Sequence, residues 1–348
     1  MGILIDPPRW PAHGTVFAHL ISDTSLEELH AFAREAELPP RAFDHDHYDV
    51  PASRYDDLVA LGAHPVGEME LIRALTASGL RVRKPQKSPT REQALDVAHR
   101  SWRGLGLPNS LRDDLLTRWQ EPHRHYHDVR HLAQVLTALE ELQCSDPVVV
   151  LAAWFHDAVY EGVAGEDEEA SARLAEESLS RLSGQPPPSP TLVHPPPGPA
   201  PAVSNWIGSR PRHAVETGET SHDPIQLLTD DGASTDDGAL TGREIADVGR
   251  LIRMTTTHSP SEPREALLSD ADLSILGQIP GRYHVYVRDV RLDYAHLEDR
   301  AWRRGRAQVL EHLLAKEPLF HTELGRDLWE TAARRNLAAE LRSLAEPR

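Results

Sequence analysis

The spacing of apolar residues changes along this chain, and the changes mark its parts. Near the start, Ile3-Leu4-Ile5 is a short β-like run ended by Asp6-Pro7-Pro8. Ser25 to Glu35 then takes helical periodicity, with Leu26, Leu29, His30 and Phe32 in the repeat. Arg54 to Leu61 and Met69 to Ser78 read as two further helices, the second stopped by Gly79. Leu80-Arg81-Val82 reads as a last strand. These elements predict a small α/β domain over residues 1–86. The basic, Pro-containing stretch LRVRKPQKSPT follows at 80–90, and the linker is placed at 87–91.

From residue 92 the pattern is helical. Val129, Leu132, Val135, Leu136, Leu139 and Leu142 recur at spacings of 3 and 4, which lays one apolar stripe on a core. VVVLAAWF at 148–155 is apolar all round and reads as a buried helix rather than a strand. Residues 183–241 differ in kind, first Pro-rich and then acidic and small. Such composition buries too little apolar surface to offset the entropy of ordering, so it predicts a disordered insertion. Helical periodicity resumes at Gly242 and continues through the Tyr-rich stretch 283–294 to the C-terminal region. The expected fold is therefore multidomain, a small α/β domain followed by an all-α helical bundle over 92–348.

Charge and composition narrow the partners. The 348 residues carry 37 Lys and Arg against 54 Asp and Glu, a formal charge of −17. That balance argues against a nucleic-acid backbone as partner. A small anion remains compatible, since it needs only local cations or a metal. The one cysteine, Cys144, permits neither an internal disulfide nor a Cys-based zinc cage and fits a reducing compartment. No stretch approaches the roughly 20 apolar residues needed to span a bilayer, and MGILIDPPRW lacks the basic and apolar runs of a leader. The expectation is a cytoplasmic protein with no membrane partner.

Histidine placement changes the picture most. HRHYHDVRH, residues 123–131, holds four histidines in nine positions. His127 and His131 are spaced i,i+4, so on a helix they serve one side. His156-Asp157 directly follows the apolar run, where a charge-capable pair is costly unless paired or ligated. His258 follows a Thr run, and Asp270 and Asp272 form a later acidic pair. Two imidazoles and two carboxylates suit Mn²⁺, Mg²⁺, Fe²⁺, Co²⁺ or Zn²⁺ with positions left for water. His123 and His125 read as solvated or as supporting the ligands from behind. The acidic run at 165–172 reads as a helix start, with Glu168 able to support a site. Trp154, Tyr160, Tyr283 and Tyr286 read as core or rim residues. In the first part, His45, His47 and Asp49 alternate and would share one face of an extended segment, where they could bind a metal.

The order of these pieces resembles the HD superfamily of metal-dependent phosphohydrolases, closest to a bacterial branch of predicted enzymes. EPHRHYHDVRH at 121–131, LAAWFHDAVYEG at 151–162, GEDEEASA at 165–172, DADLSILG at 270–277, RYHVYVRDVRLDY at 282–294 and the C-terminal FHTELGR…ARRNLAAEL carry the likeness. YHDVRH is similar to the YHNxxHA segment of cyclic-nucleotide phosphodiesterases, and ADLS at 271–274 to their CADLS segment. The resemblance implies His131, His156, Asp157 and Asp272 as metal ligands, with Asp270 as second choice for the distal one. It implies His127 as proton donor to the leaving oxygen, beside Asp157 in the catalytic set. HDAVYEG lacks the further histidine found after the pair in those phosphodiesterases, so the likeness does not carry a second ion. The implied substrate is a small phosphorylated molecule, a nucleotide first, held by Arg124, Arg130, Arg288 and His258. Phosphodiester or pyrophosphate cleavage, or a non-catalytic nucleotide-binding module, are the alternatives. The N-terminal domain resembles a small uncharacterised domain of other bacterial and phage proteins, with no activity to carry over.

Overall fold

A computed structural model describes residues 2–163, 165–184, 186 and 240–345. Two compact units emerge, one of Met1–Ser88 with Gln278–Asp289 and one of Pro89–Gly277 with Val290–Arg348. The predicted layout of a small α/β part and a mostly helical part is what the chain adopts. The insertion expected at 183–241 lies outside the described residues, apart from a few positions at its ends.

In the first unit, β1 (Ile3–Ile5), β2 (Trp10–Ala12), β3 (Thr15–Ser22), β4 (Tyr48–Pro51) and β5 (His64–Pro65) form one sheet, crossed by α1 (Leu26–Glu35), α2 (Tyr55–Leu61) and α3 (Glu68–Ala77). Strand β3 pairs antiparallel with β1, β2 and β4, and β1 pairs parallel with β5. Ser25 caps α1 by accepting from the Glu28 amide. Ile5, Leu20, Leu29, Val50 and Leu58 are fully buried in the core, each contributing on the order of 2 kcal/mol. Val285, far along the chain, joins the same core.

Two expectations fail here for physical reasons. Leu80-Arg81-Val82 is not a strand, because the Val82 amide donates to the buried Asp46 carboxylate at 2.6 Å instead of to a neighbouring strand. The fifth strand of the sheet is instead His64-Pro65, which pairs parallel with β1 and is too short to be seen as a strand from alternation. The Tyr-rich stretch does form a helix, but its residues up to Asp289 belong with the first unit.

The second unit is built from α4 (Arg91–Arg103), α5 (Asn109–Trp119), α6 (Val129–Glu141), α7 (Pro147–Phe155), α8 (Glu166–Ser183), α9 (Gly242–Met254), α10 (Pro263–Leu273), the end of α11 (Pro280–Asp293), α12 (Asp299–Ala315), α13 (Glu323–Gly325) and α14 (Thr331–Ala345). Capping side chains start several of them, including Thr90 on α4, Asp128 on α6, Asp146 on α7 and Thr241 on α9. Helix α7 is buried along its whole length from Val148 to Phe155, except for Val150, as an all-apolar segment must be. The α6 stripe buries Val129, Leu132, Val135, Leu136 and Leu139. Trp102, Trp119 and Trp154 are almost wholly excluded from solvent, and the Trp119 indole donates to the Trp154 carbonyl at 3.0 Å.

Candidate metal centre

Helix α7 is the axis of the site. Its last apolar residue is Phe155, and the next two residues, His156 and Asp157, emerge from a helix end surrounded by core. His156 is 1% exposed, so its ring orientation is dictated by its partners. Its Nδ1 donates to the Ala153 carbonyl at 2.8 Å, which in the neutral ring leaves Nε2 as a lone pair.

That Nε2 faces other acceptors. It lies 3.1 Å from His131 Nε2, 3.4 Å from Asp157 Oδ2 and 3.6 Å from Asp272 Oδ1. His131 Nε2 in turn lies 3.0 Å from Asp272 Oδ1 and 3.7 Å from Asp157 Oδ2. At most one ring N–H, that of His131, is available among these four atoms. Ligands held at about 2.0–2.2 Å from one ion stand about 2.9–3.5 Å apart. The distances among these atoms run from that range to slightly above it, and the ligand atoms of His131, His156 and Asp157 lie within 4.8 Å of one another, a group that could hold a divalent cation. Burial keeps His131 neutral despite the pull of Asp272, which is the state a ligand needs. Burial also opposes charge on Asp272, yet His156, His131 and His258 hold its pKa far below the ordinary carboxylate value. His131 Nδ1, by contrast, is buried without a hydrogen-bond partner.

The candidate ligand atoms come from the start of α6, the turn after α7 and the end of α10. His258 approaches from the α9–α10 connection, with a left-handed backbone (φ 48°) and Nε2 3.5 Å from the other oxygen of Asp272. Its Nδ1 meets Ser269 Oγ at 3.2 Å, and burial, aided by the Lys316 charge, lowers its pKa to about 4. Five of the residues singled out from the sequence therefore gather in one place.

His127 is beside them, though not on a helix. Helix α6 begins at Val129 with Asp128 as its cap, so the i,i+4 argument for His127 and His131 does not apply as stated. The rings are nevertheless neighbours, with centroids 5.7 Å apart. The His127 ring stacks on Tyr160 at 4.4 Å, and its Nδ1 pairs with Asp293 Oδ2 at 2.9 Å. Burial disfavours the imidazolium, but the Asp293 hydrogen bond and the nearby carboxylates outweigh it and raise the His127 pKa. Asp293 was missed in the sequence. It lies in RYHVYVRDVRLDY, where it is one of several charged residues on a helical run and carries no distinguishing signal.

Several other assignments are corrected. Asp270 is turned away, with Oδ1 accepting from the His321 amide and Oδ2 from the Thr322 amide and hydroxyl. Two residues subtend about 200° on a helix, so Asp270 and Asp272 of α10 face opposite ways. Arg124 is fully buried and donates to the carbonyls of His127, Asp157 and Ala158 and to Glu121, which makes it a brace between the loop that carries His127 and the turn that carries Asp157 rather than a phosphate clamp. Arg130 is paired with Asp128 and donates to the His125 carbonyl. Arg288 belongs to the first unit, where it pairs with Asp289 and donates to the Phe43 carbonyl at 2.8 Å. His123 Nε2 donates to the Tyr160 carbonyl at 3.0 Å and His125 contacts Asp293, so both take the supporting place that was the alternative to a solvated one. The acidic run does open a helix, α8. Within it Glu168 is pushed up to about 7, mainly by burial and then by the Asp157 charge.

In comparisons with known proteins, residues 3–78 match a family described as a protein of unknown function, DUF4031. No curated protein and no solved structure matches the chain. No helix among the described residues is long and apolar enough to cross a membrane.

Proposed function

We propose that the second unit is an HD-type, metal-dependent phosphohydrolase acting on a small phosphorylated molecule, a nucleotide first among them. The observation that carries this reading is the gathering of His131, His156 and Asp157, whose ligand atoms lie within 4.8 Å of one another, with Asp272 Oδ1 3.0 Å from His131 Nε2 and the His156 lone pair turned towards the group by the Ala153 carbonyl. A divalent ion held there supplies Lewis acidity, activating water and polarising a phosphoryl oxygen.

The chain's own groups do the rest. His127, whose pKa the Asp293 hydrogen bond raises, stands beside the ligand set and donates a proton to the departing oxygen. Asp293 is a positioning residue, since it acts through the His127 ring and also fixes the His125 amide at 2.6 Å. Arg124 holds the 121–127 loop against the turn at 157–158, so the proton donor and a ligand keep their separation. The cation set that grips the phosphate is not assigned to Arg124, whose donors are committed to main-chain carbonyls.

The test is product release from nucleoside mono-, di- and triphosphates, cyclic nucleotides and sugar phosphates with Mn²⁺, comparing wild type with Asp157→Ala. Turnover that vanishes in the variant supports the reading and identifies the bond cleaved. Metal loading without product across that panel overturns hydrolysis and favours a nucleotide-binding module.

A further inference from the structure

The first unit contains a second gathering of metal-ligand types that the phosphohydrolase reading does not use. Its origin is sheet register. Strands β3 and β4 are antiparallel with His19 directly opposite Asp49, and directly opposed residues in such a pair project on the same face. His47 immediately precedes β4, two positions before Asp49, and its Nε2 comes within 3.5 Å of an Asp49 oxygen. His19 and His47 meet at right angles, with ring centroids 4.9 Å apart.

Both rings are held from behind by buried carboxylates. His19 Nδ1 meets Asp6 Oδ2 at 3.0 Å, and Asp6 is 1% exposed. His47 Nδ1 meets Asp46 Oδ1 at 2.6 Å, and Asp46 is 0% exposed. Each carboxylate is itself fixed by main chain, Asp6 by the His19 amide and Asp46 by the Val82 amide. A carboxylate on Nδ1 selects the tautomer whose Nε2 is the coordinating atom. The two Nε2 atoms point at one Asp49 oxygen, at 3.9 Å from His19 and 3.5 Å from His47. The three ligand atoms lie within 4.8 Å of one another.

We propose that His19, His47 and Asp49 form a second metal site, taking a divalent first-row transition ion such as Zn²⁺ or Fe²⁺. Two imidazoles and one carboxylate are the donor set of open sites that keep positions for water or substrate. The partial exposure of all three side chains leaves such positions reachable from solvent. His45 is outside the set. Its backbone is left-handed (φ 65°), which breaks the alternation of DHDHYD, and its ring engages Asp44 and Ser88.

The experiment counts metal in the full chain, stripped and then reloaded with Zn²⁺, by elemental analysis, and follows Co²⁺ loading by visible absorption. His47→Gln and Asp49→Asn are each expected to lose one equivalent, with the melting temperature serving as the check on folding. His45→Gln is expected to keep it. His131→Ala with His156→Ala removes a different equivalent, so only the combination of both sets empties the protein. Unchanged metal content in folded His47→Gln and Asp49→Asn overturns the proposal, and so does Co²⁺ absorption that depends on His131 and His156 alone. Either result would mean that His19, His47 and Asp49 are ion-paired side chains without a metal.

Discussion

His127 and Asp293, 166 positions apart in the chain, are joined by a hydrogen bond of 2.9 Å between Nδ1 and Oδ2. The same carboxylate accepts from the His125 amide at 2.6 Å, so one side chain orders both the ring and the loop that carries it. In the proposed reaction this bond sets which nitrogen of His127 carries the transferable proton.

Asp293→Asn is therefore expected to lower kcat by about 10- to 100-fold, part of the 10²–10⁴ that a general acid supplies, with bound metal unchanged. A fall confined to metal content, with kcat per metal preserved, would place Asp293 in the architecture of the ligand loops instead.

The two neighbouring acids of α10 should separate cleanly. Asp272→Ala is expected to reduce metal binding by at least tenfold, since a ligand is removed. Asp270→Asn is expected to leave metal binding intact and lower stability by about 1–3 kcal/mol, because amide hydrogens would face the His321 and Thr322 donors. Metal titration and denaturant melts read the two effects independently.

Arg124→Leu tests the brace. Its removal leaves buried carbonyls of Asp157 and Ala158 without their donor and Glu121 without its partner. A loss of about 3 kcal/mol or more is expected, measured by urea unfolding. A near-wild-type midpoint together with a raised KM would instead return Arg124 to phosphate binding.

A pH dependence of stability is expected from His30. Burial first, and then the charges of His284 and Arg34, hold its pKa well below the ordinary value. Its nitrogens meet the Tyr48 hydroxyl at 2.8 Å and His284 Nδ1 at 3.0 Å. A histidine with a depressed folded pKa is most stabilising above its unfolded pKa of about 6.5, and that stability drains as pH falls below it. Melting temperatures between pH 7.5 and 5 should fall more steeply for wild type than for His30→Gln. Parallel slopes would sink this assignment.

Much of the site was legible because its chemistry is local in sequence. An adjacent His-Asp pair at the end of an apolar helix is costly in any fold that lacks a partner for it, so His156 and Asp157 announced themselves. Asp293 did not, because an acid on a helical run reads as a solvated face until its burial is known. The arginines misled for a related reason. A guanidinium in a histidine-rich motif looks like an anion clamp, and only the carbonyls around Arg124 show that its donors are spent on the backbone.

Sequence by itself determined the α/β and helical parts, the buried course of α7 and the candidate ligand types, because periodicity and burial cost act within a few residues. Tertiary structure alone decided which acid of α10 faces His131, that residues 278–289 pack with the first unit, and that His19 rather than His45 joins His47 and Asp49. Those outcomes depend on strand register, helix rotation and chain return, which bring together residues tens to hundreds of positions apart and leave no periodic trace in either partner.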